Sequence, residues 1–237
     1  MRTEAFSLYD IPVLLYGETS DRVWLHVHGK MGYKEEAERF AELACPQGWQ
    51  VLSLDLPEHG QRKGRPEPFT PCQVVPELRK LLAWMRPKWE TIGLYATSLG
   101  VWFSMLAFPE EPLARALFVS PVVDMEKLIQ KLMGWASVTE EQLEREGTIP
   151  TEFGETLSWP YYTFVKEHPI RRWDVPTGIL FGERDHLTDL ETVESFARRF
   201  GAQLEVIPNS RHWFQDPTQL AALAAWTERQ LALCGTK

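Results

Sequence analysis

A serine hydroxyl is a poor nucleophile near neutral pH unless a base lies within hydrogen-bond reach and a third group fixes the tautomer of that base. The sequence offers a residue for each role: Ser98 to attack, His212 to carry the proton and Asp185 to orient the histidine. All three follow predicted strands, and in a wound parallel sheet ligands bind beyond the carboxyl ends of the strands, so one rim would receive them. The chemistry open to such a set is acyl transfer from a carbonyl to the serine oxygen.

Ser98 stands in Ala96-Thr97-Ser98-Leu99-Gly100, where a predicted strand 91–95 runs into an apolar helix ending near Phe108. Small residues at 96 and 100 permit a sharp turn that projects the serine out of the sheet. The same turn leaves the N–H of Leu99 at a helix N-terminus, where the donor and the dipole stabilise an oxyanion. Two other aspartates compete with Asp185: Asp189 at an expected helix N-cap, and Asp124 after the strand 116–119. Asp185 is preferred to both. His26, in an alternating strand, reads as a sheet residue with a satisfied hydrogen bond. His28 reads as a shaper of the turn after that strand, and His59, His168 and His186 as structural or surface residues. None has a partner at metal-ligand spacing, so no metal and no cofactor is indicated.

The elements that must position these residues alternate in type. Strands are predicted at 5–9, 12–16, 23–28, 50–55, 91–95, 116–119, 178–181 and 203–207. Ala37, Phe40, Ala41 and Ala44 share one helix face, and so do Leu78, Leu81, Leu82 and Met85, with Pro76 near the start of that helix. Val193, Phe196, Ala197 and Phe200 mark another helix, and a last one surrounds 220–231. Between Pro121 and Pro176 the alternation lapses into helical stretches mixed with Gly, Pro and aromatics. The reading is an α/β fold: a mostly parallel wound sheet of about eight strands with helices on both faces, and a small helical cap at about 124–173 inserted after the sixth strand, all in one domain spanning 1–237.

Several motifs in this order resemble those of the α/β-hydrolase family of serine hydrolases. Ala96-Thr97-Ser98-Leu99-Gly100 is similar to its Gly-x-Ser-x-Gly nucleophile elbow, with alanine for the first glycine and therefore tighter sterics. His28-Gly29-Lys30-Met31-Gly32 resembles its His-Gly oxyanion loop, Asp55-Leu56-Pro57-Glu58-His59-Gly60 its loop after the next strand, Gly182-Glu183-Arg184-Asp185 its acid turn, and Asn209-Ser210-Arg211-His212-Trp213-Phe214 its histidine loop. The order Ser, Asp, His also agrees. The similarity spans the chain except 124 to about 173. It implies that the backbone N–H of Lys30, or else of Met31, joins that of Leu99 as the oxyanion hole.

Composition narrows the partners. With 25 Lys and Arg against 33 Asp and Glu, the net charge is −8, and no basic stripe suits nucleic acid. No apolar run approaches the ~18 residues of a membrane span, and the first ten residues lack a signal-peptide pattern, so a cytoplasmic location is expected. Cys45, Cys72 and Cys234 suggest neither a disulfide framework nor a zinc site. The ten Trp residues matter more. Together with Met31, the aromatics Trp135, Trp159, Tyr162 and Trp213 are candidates for the wall of a substrate pocket, and cap packing explains them equally well. The expected activity is hydrolysis of a carboxylic ester, with a small to medium apolar or aryl acyl group, through an acyl-enzyme. A peptidase or acyltransferase with the same triad, or a non-catalytic ligand-binding protein, is the alternative. The expected partner is a small-molecule ester, and a homodimer is compatible with the sequence.

Overall fold

A computed structural model describes residues 1–234. Two antiparallel strands come first, β1 (Thr3–Leu8) and β2 (Ile11–Tyr16), joined through Tyr9 and Asp10 at φ 52° and 66°. Positive φ at both central residues matches the right-handed twist of the flanking strands. The wound portion follows: β3 (Arg22–Val27), α1 (Glu38–Ala44), β4 (Gln50–Leu54), α2 (Pro71–Met85), β5 (Thr91–Thr97), α3 (Leu99–Ala107) and β6 (Ala116–Val119). After an insertion it resumes with β9 (Thr177–Gly182), α7 (Leu190–Phe200), β10 (Gln203–Ile207) and α8 (Pro217–Ala232). The insertion holds α4 (Met125–Ala136), α5 (Glu140–Glu146), β7 (Thr148–Pro150), β8 (Thr156–Ser158) and α6 (Trp159–Glu167).

The eight-stranded sheet has the order β1-β2-β4-β3-β5-β6-β9-β10, parallel from β4 onward. Each central strand sends alternate residues to opposite faces, which is why its sequence is apolar almost throughout. Val23, Leu25 and Val27 of β3 join one core with Leu78 and Leu82 of α2, Phe103 of α3 and Val193 of α7, while Trp24 joins a second core with Phe40 of α1 and Trp226 of α8. Ile179 and Phe181 against Leu180 in β9 repeat the division.

Strand ends fall within about two residues of the predicted ones, and two elements differ further from expectation. Helix α2 begins at Pro71, whose missing N–H is harmless in the first turn, and carries Pro76 inside it rather than near its start. The cap is not purely helical: β7 and β8 form a two-stranded antiparallel hairpin between α5 and α6. Three-residue strands are too short to leave a readable alternation. The cap is fastened to the body, since Leu128 and Met133 of α4, Leu143 of α5, Leu157 of β8 and Val165 of α6 are buried in the same core as Phe103. Among the described residues no helix is long and apolar enough to cross a membrane.

Candidate active site

Ser98 occupies the junction of β5 and α3 at φ 48° and ψ −120°, a conformation that costs a non-glycine residue free energy unless its surroundings enforce it. They do. Its N–H donates to the Val119 carbonyl (3.1 Å), and its carbonyl accepts from Val101 (3.1 Å) and Val122 (3.2 Å). Two residues on, a Cβ at Gly100 would lie 2.5 Å from the His28 carbonyl oxygen and 2.6 Å from that of Val27, so only glycine lets α3 start this close to the end of β3. The methyl of the alanine at 96 is fully buried in the apolar core.

His212 bridges the other two residues. Its Nδ1 lies 2.6 Å from Asp185 Oδ2, and its Nε2 lies 2.9 Å from Ser98 Oγ. The second Asp185 oxygen accepts from the N–H groups of Leu187 (2.8 Å) and Thr188 (3.1 Å). With the carboxylate acting only as an acceptor, Nδ1 is the protonated ring nitrogen, and the bare Nε2 accepts from the serine hydroxyl. The side chains of His212 and Asp185 are both 0% exposed, so water does not compete for this bond. Their two turns are laced by Arg184 N–H to the Ser210 carbonyl (2.8 Å) and Glu183 N–H to the Ile207 carbonyl (3.0 Å). Gly182 permits the approach, since a Cβ there would stand 2.5 Å from the Arg211 carbonyl oxygen.

The competing aspartates are engaged elsewhere. Asp124 caps α4 by accepting from Lys127 N–H at 3.0 Å. Asp189 stands at the N-cap position of α7 but does not cap it with its side chain, contrary to the sequence reading; its carboxylate turns to the Lys131 ammonium at 2.5 Å.

The loop after β3 abuts Ser98, for a Cβ on Gly29 would be 2.9 Å from Ser98 Cβ. Its two candidate amides differ. Met31 N–H donates to His59 Nε2 (2.9 Å), whereas no hydrogen bond among the described residues uses the N–H of Lys30 or of Leu99. His28 and His59 fix this loop as a matched pair. His28 Nε2 accepts from Leu56 N–H (3.0 Å) and its Nδ1–H donates to the Gly29 carbonyl (2.7 Å); His59 Nδ1–H donates to the Pro57 carbonyl (2.7 Å). Both rings must stay neutral to keep these bonds, and burial favours that, lowering His28 to about 4 and His59 below its ordinary value. His59 is therefore a buried part of the loop's support. Asp55 anchors the same region: it accepts from the Lys34 N–H and ammonium (both 2.9 Å) and from Gln61 N–H (3.0 Å). His26 is a buried sheet residue, stacked on Tyr95.

The five pocket candidates separate. Met31 (80% exposed), Trp135 and Trp213 are exposed, as is Phe153 from the cap hairpin. Trp213 meets the His212 ring edge to face at 4.9 Å, while His186 lies between His212 (6.3 Å) and Trp135 (6.2 Å), which in turn touches Phe153 (5.9 Å). Tyr162 instead is enclosed in the cap, its hydroxyl bonded to Gln130 and Glu140, and Trp159 packs against it at 6.1 Å. The sequence reading missed Phe153 and His186 as neighbours of the site; the position of His186 immediately after Asp185 was the available signal. It also missed the ion pair of Lys30 with Glu155, which ties the cap hairpin to the loop after β3.

No protein-family model and no curated protein sequence matches the chain. Solved structures do. Est1E from Butyrivibrio proteoclasticus, with ferulic acid bound, superimposes at a TM-score of 0.79 with 15% identity, over 99% of this chain and 100% of that one. Alpha/beta hydrolase domain-containing protein 10 from mouse follows at 0.72 and 16%, over 98% and 99% of the two chains. The monoacylglycerol lipase of Paleococcus ferrophilus gives 0.71 and 16%, over 94% and 99%. Likeness of backbone over almost the full length of each partner, with the order of strands described above, shows that this chain has the α/β-hydrolase fold.

Proposed function

We propose that the protein is a serine hydrolase that cleaves a carboxylic ester through an acyl-enzyme. The observation that carries this reading is the continuous chain of contacts from Ser98 Oγ through His212 to Asp185, at 2.9 and 2.6 Å, which leaves Nε2 placed to take the serine proton. In the forward step Ser98 Oγ bonds to the carbonyl carbon while its proton passes to His212 Nε2. Asp185 stabilises the resulting imidazolium, and the amides of Lys30 and Leu99 hold the carbonyl oxygen as it becomes an oxyanion. The bond to the departing oxygen then breaks, its electron pair stays on that oxygen, and His212 returns the proton to it. Water, deprotonated by His212, attacks the acyl-serine and releases the acid and the free hydroxyl.

The chain is read as one domain in which the segment 124–173 caps the site. The exposed apolar side chains of Met31, Trp135 and Phe153 support an apolar or aryl acyl group of small to medium size, in keeping with the aryl acid bound by Est1E. The three cysteines are free thiols, which suits a reducing, cytoplasmic setting. A panel of p-nitrophenyl esters from acetate to decanoate, with one aryl-acid ester, tests the reading against Ser98→Ala. Turnover that vanishes in the variant supports it, and equal rates in both proteins overturn it.

A further inference from the structure

Beside the triad lies an open recess of about 370 Å³, lined by Arg184, His186, Arg211, Trp213 and Gln215. Four of these five are the sequence neighbours of the acid and the base: Arg184 and His186 flank Asp185, and Arg211 and Trp213 flank His212. The recess is therefore built from the same two turns that carry the proton relay. The chain carries a net −8, yet no carboxylate lines this recess. Among the described residues neither Arg184 nor Arg211 has a side-chain hydrogen bond or a salt bridge; Arg39 and Arg171 share that state, but they do not line this recess, and the exposed Arg172, Arg198 and Arg229 each pair with a carboxylate.

Two free guanidinium groups are suited to one kind of ligand, a planar or tetrahedral oxyanion that accepts paired hydrogen bonds. Trp213 and His186 add aromatic faces on which a flat group can rest. The place of the recess says which part of a substrate enters it. His212 Nε2 must reach the departing oxygen to protonate it, and the two rings of the recess, Trp213 and His186, are the ones that border the His212 ring. The free amides of Lys30 and Leu99 serve the carbonyl oxygen from the elbow side.

We infer that the recess receives the departing alcohol or thiol of the substrate, and that this group carries an oxyanion, a carboxylate or a phosphate. The inference rests on the ester-hydrolase reading and gives it a substrate class: esters or thioesters with an acidic leaving group. Because both arginines are exposed, water and salt screen them, and the preference they supply is modest, about tenfold.

The test uses two esters with one acyl group, para-butanoyloxybenzoate and para-butanoyloxybenzamide, so that the departing phenols differ in charge. The ratio of kcat/KM for the anionic ester to that for the neutral one is measured in the native protein, in Arg184→Gln/Arg211→Gln, and in Arg229→Gln as a control for bulk charge. The ratio is expected to fall about tenfold in the double variant and to keep its native value in the control. An unchanged ratio in the double variant, or an equal fall in the control, overturns the inference. A second arm is independent of turnover: calorimetric titration of Ser98→Ala with para-hydroxybenzoate, para-hydroxybenzamide and phenyl phosphate. Binding of either anion that exceeds the amide and disappears on removing the two arginines supports the site and separates carboxylate from phosphate; equal binding of all three overturns it. If neither ester is turned over, the ester-hydrolase reading fails, and with it the assignment of the recess to a leaving group, while the titration still decides whether it holds an oxyanion.

Discussion

Met31 donates its N–H to Nε2 of His59 at 2.9 Å, so of two consecutive amides in the loop after β3 one is held by an imidazole and the other, Lys30, is left without an acceptor among the described residues. The sequence alone left these two amides as alternatives. A buried histidine from the loop after β4 separates them, and it does so only as a neutral ring with its proton on Nδ1. The neighbour of the free amide is thus held by a buried side chain from another loop.

That dependence gives a first expectation. His59→Phe keeps the ring but removes the acceptor of the Met31 N–H, and should lower kcat about tenfold with little change in KM. Loss of an oxyanion donor outright costs about 10²–10³, and a displaced one less. His59→Gln offers an amide oxygen and should recover part of the loss. A KM effect without a kcat effect would place His59 outside the support of this loop.

The acid is tested by a pair of variants. Asp185→Asn should reduce kcat by about 10³ or more, because an amide can reverse the tautomer of His212. Asp124→Asn should stay within about twofold of the native rate, since Asp124 only caps α4. Equal or reversed losses would move the role of orienting His212 to Asp124.

Acid should unfold the protein before it protonates these histidines in the native state. Burial lowers His28 to about 4 and His26 to about 3, against 6.5 for both in the unfolded chain. Their contribution is complete above about pH 6.5 and is lost as pH falls from there toward the folded values, because only the unfolded state binds the protons. Between pH 7.5 and 5 each should cost about 2 kcal/mol of stability, measurable by urea unfolding. His26→Gln should flatten this slope; an unaltered slope would mean that His26 is not held neutral by burial.

Gly100→Ala should destabilise the fold by about 3 kcal/mol or more, since its Cβ would stand within 2.6 Å of two backbone oxygens that cannot move without breaking the β3–β5 pairing. Gly134→Ala, where nothing lies within 4 Å, serves as the comparison and should be neutral or slightly stabilising. Thermal denaturation of both variants distinguishes a crowded elbow from a general sensitivity of helix glycines.

The sheet was legible because its strands are buried on both faces: Val23 to Val27 is apolar at nearly every position, and one residue of each alternate pair serves each core. The meeting of Ser98, Asp185 and His212 was legible because each follows a strand on the rim where the fold brings the loops together. Pro76 misled the start of α2, since a proline inside a helix and one at its first turn look alike in sequence. The cap resisted reading for a different reason. Its strands are three residues long, and its aromatics are similar in type whether they face inward, as Tyr162 does, or stand exposed, as Trp135 does. Composition specifies that they bury surface, not which surface.

The claim at the centre of this account is that Ser98 is a nucleophile activated by His212. Exposure to a fluorophosphonate, followed by intact-mass measurement and peptide mapping, reads that claim without knowledge of the natural substrate. The account predicts one adduct per chain, on the peptide containing Ser98, absent from Ser98→Ala and formed at least about a hundredfold more slowly in His212→Ala. No adduct on the native protein, or one that survives Ser98→Ala, would contradict it.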